Sequence, residues 1–147
     1  MAAVRPVAWI GLKYVTALFF VGVVVQFFFV GFGLFGMKEG ETIDNAKSLD
    51  AHRAFGFILA DGGGILILVL ALLAWPTPRR MLVRWIVLGL LALLQPQLAD
   101  YQHEWVGMFH PVVALALFGL SGFLTYYAWT TGKKEHEASP PAEAPSG

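Results

Sequence analysis

Four long apolar runs divide the chain, and charged residues are concentrated in the short segments between them. The runs cover residues 15–36, 54–75, 81–99 and 106–129. Each is close to the length of about 20 apolar residues that a helix needs to cross a bilayer. Because lipid offers the backbone no hydrogen bonds, each run is predicted to be a helix. The predicted helices cover about 14–36, 51–75, 80–99 and 107–130.

These elements predict an all-α fold, a four-helix transmembrane bundle whose helices run up-down-up-down in one membrane domain, residues 1–131. The remaining segment, residues 132–147, is rich in Pro, Ala, Glu and Ser. A segment of this composition has too little apolar surface to bury on folding. It is therefore predicted to be a disordered cytoplasmic tail.

The distribution of Lys and Arg predicts the orientation of the helices in the membrane. Three of the ten basic residues, Lys38, Lys47 and Arg53, lie around the loop between helices 1 and 2, and the others lie towards the opposite side. Basic residues favour the cytoplasmic side, so both termini are predicted to be cytoplasmic. The five tryptophans are near predicted helix ends, where interfacial aromatic residues belong. They are Trp9, Trp75, Trp85, Trp105 and Trp129.

Composition excludes several classes of protein. The chain of 147 residues is 57% hydrophobic and 14% charged, and its mean hydropathy is +0.65. Ordinary soluble domains are about 45–50% apolar and about 25% charged, so a compact soluble enzyme is not expected. The net charge of 0 and the lack of a basic motif argue against nucleic acid as a partner. The absence of Cys removes disulfides, thiolate catalysis and covalently attached c-type haem.

Two histidines carry the clearest chemical signal. His52 opens helix 2 and His110 opens helix 4, and both helices run inward from the extracytoplasmic face in the predicted topology. The two side chains are therefore expected at the same depth. Two imidazoles that face each other across a bundle can ligate a haem iron from both sides. His52 and His110 are the predicted ligands of a b-type haem.

The residues beneath each histidine fit this prediction. The residues four and eleven positions after each histidine lie on the same helix face as that histidine. These four residues are all small: Gly56 and Gly63 after His52, and Ala114 and Ser121 after His110. They are predicted to leave space for a flat macrocycle, and Arg53 lies at the level where the haem propionates would emerge.

Three alternatives remain open for the same residues. Interfacial histidines and small packing residues also occur in membrane proteins without a cofactor. A proton relay is another reading, and a non-haem metal site is the third. Zinc usually needs three or four protein ligands, for which His103 and Glu104 are available in sequence.

Two further polar positions are candidates. Asp61 is the one acidic residue deep in a predicted span. It is interpreted either as a group that handles protons or contacts quinol, or as a neutral side chain bonded to Gln26 or Ser121 across the bundle. Gln95, at the end of helix 3, is interpreted either as a hydrogen-bond partner of an imidazole or as part of a polar helix end.

Four stretches resemble a family of small bacterial four-helix membrane proteins of unknown function. They are Gln26 to Gly33, His52-Arg53, Leu94 to Leu98 and Phe109-His110-Pro111. The likeness covers roughly residues 14–130, and it implies a multi-pass protein of the bacterial plasma (inner) membrane but no activity.

The architecture is also similar to one four-helix half of haem A synthase, in which histidines at the outer ends of the second and fourth helices hold haem. That likeness implies His52 and His110 as the ligand pair. The synthase halves carry a glutamate shortly before a helix-start histidine, whereas this chain has Asp50. A second four-helix half is missing, which argues against oxygenase chemistry.

The predicted function is electron transfer by a cytochrome b-like membrane protein, because bis-histidine ligation leaves no open position on the iron. The expected partners are the lipid bilayer, quinol and other membrane redox subunits. The chain would then be an electron-transfer or accessory subunit rather than a stand-alone enzyme. The alternative is a cofactor-free membrane scaffold or assembly subunit. A small transporter or proton-relay protein that uses Asp61 is less favoured, since inverted repeats and broken helices are not evident.

Overall fold

The computed structural model describes residues 4–100 and 104–137 of the chain. Its helices are α1 (Val4–Phe35), α2 (Asp50–Phe57), α3 (Gly64–Ala74), α4 (Arg79–Asp100), α5 (Glu104–Gly107) and α6 (Phe109–Glu137). A π-helical segment, Ile58–Gly63, joins α2 to α3 in one continuous helix, and a 3-10 turn, Lys47–Leu49, precedes α2. The prediction of an all-helical fold with four long helices is confirmed.

Two helices extend beyond their predicted limits. α1 begins at Val4 rather than near residue 14. Pro6 is tolerated there because the first turn of a helix has no hydrogen-bonding partner for its missing N–H. α6 continues to Glu137, so residues 132–137, which were predicted to be disordered, are helical. The rest of the predicted tail lies outside the described residues.

The four long helices pack around a common core. α1 packs between α3 and α6, and α4 packs against the same two helices. As a result α3 and α6 occupy diagonal positions. The segment α2, which continues from α3 through the π-helical segment, packs against α1, and neither α4 nor α6 approaches it closely along its length. This leaves α2 diagonally across the bundle from α6.

The core is built around Trp85 of α4, which is fully buried. Its indole Nε1 donates a hydrogen bond to Thr16 Oγ1 at 3.1 Å, and the Thr16 hydroxyl donates to the Leu12 carbonyl oxygen at 2.7 Å. Trp9 stands edge-on to Trp85 with the ring centres 5.6 Å apart. The interfacial interpretation is therefore wrong for Trp9 and Trp85, because their rings fill the core instead of contacting headgroups.

Two glycines allow α3 and α4 to approach each other closely. A Cβ on Gly64 would lie 3.2 Å from the Gly89 carbonyl oxygen, and a Cβ on Gly89 would lie 3.0 Å from the Gly64 carbonyl oxygen. Backbone atoms cannot rotate away as the end of a side chain can. The α3–α4 contact therefore has the small-residue packing that is common between membrane helices.

Much of the outer surface of the bundle is apolar. Large side chains such as Phe28, Phe32 and Ile58 are exposed by 72%, 78% and 69%. Four candidate spans are long and apolar enough to cross a membrane: Val4–Phe35, Lys47–Ala74, Arg79–Ala99 and Trp105–Thr130. A soluble monomer rarely exposes so much contiguous apolar surface. The fold therefore indicates a multi-pass membrane protein whose outer surface is compatible with lipid contact.

Candidate functional site

The two histidines of interest lie next to each other in the fold. His52 is in the first turn of α2 and His110 is in the first turn of α6. Their ring centres are 6.4 Å apart, and the ring planes are inclined by 79°. Because α2 and α6 are diagonal, the two rings meet across the interior of the bundle. We call this end of the bundle, where α2 and α6 begin, the histidine end.

His110 is oriented by Gln95 of α4. Its Nδ1 lies 3.0 Å from the main-chain carbonyl oxygen of Gln95. A carbonyl oxygen can only accept, so we assign the ring proton to Nδ1, and Nε2 then presents a lone pair. The Gln95 side-chain amide donates to the His110 carbonyl oxygen at 3.0 Å, and it also lies 3.3 Å from His110 Nε2. The interpretation of Gln95 as a partner of an imidazole is confirmed.

His52 has a related but less complete set of contacts. The side-chain amide of Gln26 on α1 donates to the His52 carbonyl oxygen at 3.0 Å. The ring nitrogen Nδ1 of His52 is buried and has no hydrogen-bond partner among the described residues. The start of α2 is also tied to α1 by the Ser48 hydroxyl, which donates to the Gly33 carbonyl oxygen at 2.7 Å. The position of His52 thus depends on α1.

The contacts of the two histidines are alike in one respect. In each case a glutamine from a neighbouring long helix donates its amide to the histidine carbonyl oxygen. In each case the glutamine Oε1 is buried and lacks a partner within the described part of the chain. Buried polar atoms are usually hydrogen-bonded, so unpartnered ones call for an explanation. Gln26 Oε1, Gln95 Oε1 and His52 Nδ1 leave unused hydrogen-bonding capacity at the histidine end.

The separation of the imidazoles is compatible with a metal ion between them. Metal–imidazole bonds are about 2.0–2.1 Å long, so rings on opposite sides of one ion have centres about 6 Å apart. The observed 6.4 Å is close to this value. The assigned tautomer of His110 also leaves Nε2, the usual ligand atom, unprotonated while Nδ1 donates to a carbonyl, as is common for metal-bound histidine. The pair therefore offers two imidazole nitrogens, the donor type of a bis-histidine haem iron, and a ligand bond at His110 Nε2 would displace the Gln95 amide from that atom.

The small residues beneath the histidines are placed differently from the expectation. A Cβ on Gly56 would lie 2.6 Å from Gln26 Nε2, and a Cβ on Gly63 would lie 2.8 Å from a ring carbon of Phe19. Both glycines therefore face side chains of α1. On α6, Ala114 is half-buried and Ser121 is buried, with the Ser121 hydroxyl donating to the Leu117 carbonyl oxygen at 2.6 Å. The two glycines pack α2 and the π-helical segment against α1.

Arg53 is engaged by the loop that precedes α2. Its guanidinium donates to Asp50 Oδ1 at 2.8 Å and to the carbonyl oxygens of Asp44 and Ala46 at 3.1 Å each. It also donates to the Ile43 carbonyl oxygen. A propionate contact at Arg53 would therefore compete with several hydrogen bonds that fold the loop onto α2.

Asp61 is not in the interior of the bundle. It is exposed on the outer face of the π-helical segment. The interpretation that it bonds to Gln26 or Ser121 is wrong, because those side chains bond to His52 and to the α6 backbone. The physical reason is helical geometry. Asp61 is nine residues beyond His52, which is about half a turn around the helix axis, so an inward His52 directs Asp61 outward.

The alternative of a zinc site is not supported by a ligand cluster. The described residues contain no group of three or more His, Cys, Asp or Glu side chains that converge. His103 and the side chain of Glu104 lie outside what the structure describes.

Sequence reasoning missed the contact of Gln26 with His52. The available signal was composition, because Thr16 and Gln26 are the polar side chains in the apolar run of helix 1. A polar side chain inside a span usually faces other helices rather than lipid. That rule indicates an inward Gln26, but it does not identify the group that the amide contacts.

Comparisons with protein-family models, with curated proteins and with solved structures find no match for this chain. The features of this chain that bear on function are therefore the geometry of the histidine end and the apolar surface of the bundle.

Proposed function

We propose that this chain is a membrane electron-transfer protein that holds a b-type haem between His52 and His110. The observation that carries the proposal is the imidazole pair, with ring centres 6.4 Å apart and the His110 tautomer set by Gln95. A haem bound by two imidazoles exchanges single electrons and offers no open position to a substrate. The chain would act with quinol or another membrane redox subunit, as part of a longer electron path.

The residues of this chain would each have a defined task. His52 and His110 supply the ligand nitrogens. The main-chain carbonyl oxygen of Gln95 accepts from Nδ1 and so holds the His110 ring in the tautomer whose Nε2 is unprotonated, which is the usual role of a hydrogen-bond partner of a metal ligand. Gln26 ties the His52 backbone to α1. The apolar bundle beneath the pair excludes water, which lowers the local dielectric and strengthens electrostatic control of the bound group.

The test of this function is a visible spectrum of the full chain. The protein is purified in mild detergent from cells supplied with haem, and a reduced-minus-oxidised spectrum is recorded together with a haem-to-protein ratio. We expect a b-type α band and one haem per chain. A colourless protein from haem-replete cells contradicts the proposal.

For the orientation, we propose cytoplasmic N- and C-termini, with helices that alternate in direction and the histidine end at the extracytoplasmic face of a bacterial inner membrane. The proposal is supported by basic residues at the end opposite the histidines. Arg5 donates to the Trp75 carbonyl oxygen at 3.0 Å, and Lys13 lies 4.6 Å from the centre of the Trp129 ring. Basic residues prefer the cytoplasmic side.

A pair of reporter fusions checks this orientation. Green fluorescent protein fused after Gly147 is expected to fluoresce, and alkaline phosphatase at the same position is expected to be inactive. The same two reporters inserted at Gly40, in the loop between α1 and α2, are expected to give the reverse result. Phosphatase activity at Gly147 would show that the topology is inverted.

Replacement of Gln95 by Leu is expected to weaken haem binding about 10- to 100-fold, the usual effect of losing a hydrogen-bond partner of a metal ligand. The physical reason is that the side-chain amide donates to the His110 carbonyl oxygen and so fixes the start of α6 against α4. The main-chain bond to Nδ1 is kept in the variant. Haem affinity is measured by titration of the apoprotein. Gln97→Leu is the matched control, because Gln97 lies on the same helix and is exposed. Equal affinities for the two variants would show that Gln95 does not position His110.

The second candidate is a membrane scaffold or assembly subunit without a cofactor. The observation that favours it is the packing of Gly56 and Gly63 against Gln26 and Phe19. In this case the small residues serve helix packing alone, as they do in many membrane proteins. A colourless protein that remains folded and co-purifies with other membrane subunits would favour this candidate.

A further inference from the structure

Asp61 occupies an unusual position for an ionisable residue. It is exposed, and it lies near the middle of the candidate span Lys47–Ala74. At about 1.5 Å per residue, roughly 20 Å of helix separate it from either end of that span. The side chain of Asp61 makes no hydrogen bond or ion pair within residues 4–100 and 104–137. A carboxyl directed at hydrocarbon is costly, and such residues almost always face a protein partner or water.

The side chains around Asp61 form one continuous face, which we call the Asp61 face. Its members are exposed and recur at intervals of three or four residues, so they share one side of the helix. They are Ile58, Asp61, Gly62, Ile65, Leu66, Val69, Leu72 and Leu73. Gly62, next to Asp61, would meet nothing within 4 Å if it carried a Cβ. The face is therefore apolar, and it is open beside its single carboxyl.

The helix is also irregular at this point. Asp61 and Gly62 belong to the π-helical segment Ile58–Gly63, which interrupts the regular α-helix between α2 and α3. Single π-helical turns inside α-helices are rare and are found frequently at functional positions. The irregularity, the exposed carboxyl and the open glycine coincide on the side of the helix that faces away from the bundle.

We propose that the Asp61 face is the interface of a homodimer in which the Asp61 carboxyls of two copies hydrogen-bond to each other across a two-fold axis. A second copy inserted in the same orientation brings its own Asp61 to the same depth. A carboxyl pair can donate and accept between its members when a proton is present. A two-fold interface is self-complementary, so each Asp61 meets an identical group.

The rest of the described surface favours this arrangement over contact with a different face of a second copy. Near the middle of α1, α4 and α6, the exposed side chains are apolar: Leu18, Val21, Val87, Leu90, Leu115 and Phe118. A head-to-tail contact would press Asp61 against one of these surfaces without a polar partner. The symmetric contact satisfies Asp61 and covers the apolar stripe at the same time.

Substitutions at the Asp61 face test the proposal. The full chain is labelled with donor and acceptor dyes and reconstituted into phosphatidylcholine vesicles, and energy transfer is followed as the protein is diluted in lipid. We expect a specific dimer for the wild type and for Asp61→Asn, because two amides can also pair. Asp61→Leu is expected to raise the dissociation constant about 3- to 20-fold, as loss of an interhelical polar contact does.

Gly62→Leu provides a second variant that leaves the fold intact, because its side chain extends into open space, and it is expected to separate the two copies. Gly119→Leu is the matched control, since Gly119 on α6 is exposed and a Cβ at that position would also meet nothing within 4 Å. It is expected to keep the wild-type dimer. Far-ultraviolet circular dichroism checks that all the variants retain their helix content.

Cross-linking in native membranes gives an independent measurement. The chain has no Cys, so single-cysteine variants report one position each. Ile65→Cys, on the Asp61 face, is expected to cross-link two copies, whereas Leu115→Cys, exposed on α6, is not. A monomeric wild type, a dimer that survives both Asp61→Leu and Gly62→Leu, or equal cross-linking at the two positions would overturn the proposal. A different protein cross-linked to Ile65→Cys in place of a second copy would also overturn it. None of these measurements depends on whether haem is bound.

Discussion

The variants His52→Ala and His110→Ala are each expected to lose the b-type absorption band almost completely. Each substitution removes one of two imidazoles whose ring centres are 6.4 Å apart. The described residues offer no third His, Cys, Asp or Glu in a convergent cluster to replace it. The measurement is the reduced-minus-oxidised spectrum and the haem-to-protein ratio of each variant after identical purification.

The control for this experiment is His136→Ala. His136 belongs to the far part of α6, 26 residues after His110, and its substitution is expected to leave the band unchanged. External imidazole added to either alanine variant is expected to restore part of the band, because it can supply the missing ligand. A full band in His52→Ala or in His110→Ala would show that the haem has other ligands, and the proposed site would then be incorrect.

Trp85→Ala is expected to lower the free energy of unfolding by about 3–5 kcal/mol, the usual cost of truncating a buried Trp. The side chain is fully buried, stacks edge-on with Trp9, and donates its Nε1 hydrogen to Thr16. The substitution leaves a cavity where α1 and α4 meet. The measurement is equilibrium unfolding in a single detergent, followed by circular dichroism.

Two further variants separate the contributions to this loss. Trp105→Ala removes an equally large side chain that is 65% exposed, and it is expected to change stability by no more than about 0.5 kcal/mol. Thr16→Val removes the acceptor for the indole and should cost about 1–3 kcal/mol, since it leaves a buried donor unpaired. Equal losses for Trp85→Ala and Trp105→Ala would contradict the central role assigned to Trp85.

Much of the fold could be predicted from the sequence because a bilayer restricts the choices. An apolar run of about 20 residues in lipid has to satisfy its own backbone, and a helix does so locally. The helix ends were harder to predict. α1 already includes Val4, and its Arg5 donates to the carbonyl oxygens of Ala74 and Trp75, at the end of α3 and in the following turn. That contact joins residues about 70 positions apart, which no local pattern encodes.

The candidate site was predicted in part. The positions of His52 and His110 at the starts of two helices indicated their pairing, and the rings do lie together. The sequence could not show that Gln26 fills the space beside Gly56. It could not show that the Arg53 guanidinium donates hydrogen bonds to the preceding loop. Both outcomes depend on which side chains and carbonyl groups become neighbours when the helices pack.

Asp61 shows the difference between what the sequence predicts and what only the packing of the helices decides. The spacing from His52 fixed a relative direction, because residues nine apart lie on opposite sides of a helix. Only the packed bundle decided which of those sides faces the interior. By itself, the sequence determined what is local in a chain that crosses lipid: the number of helices, their type and the relative angles of residues along each one. The tertiary structure decided the neighbours of each face, because those depend on contacts among all the helices at once.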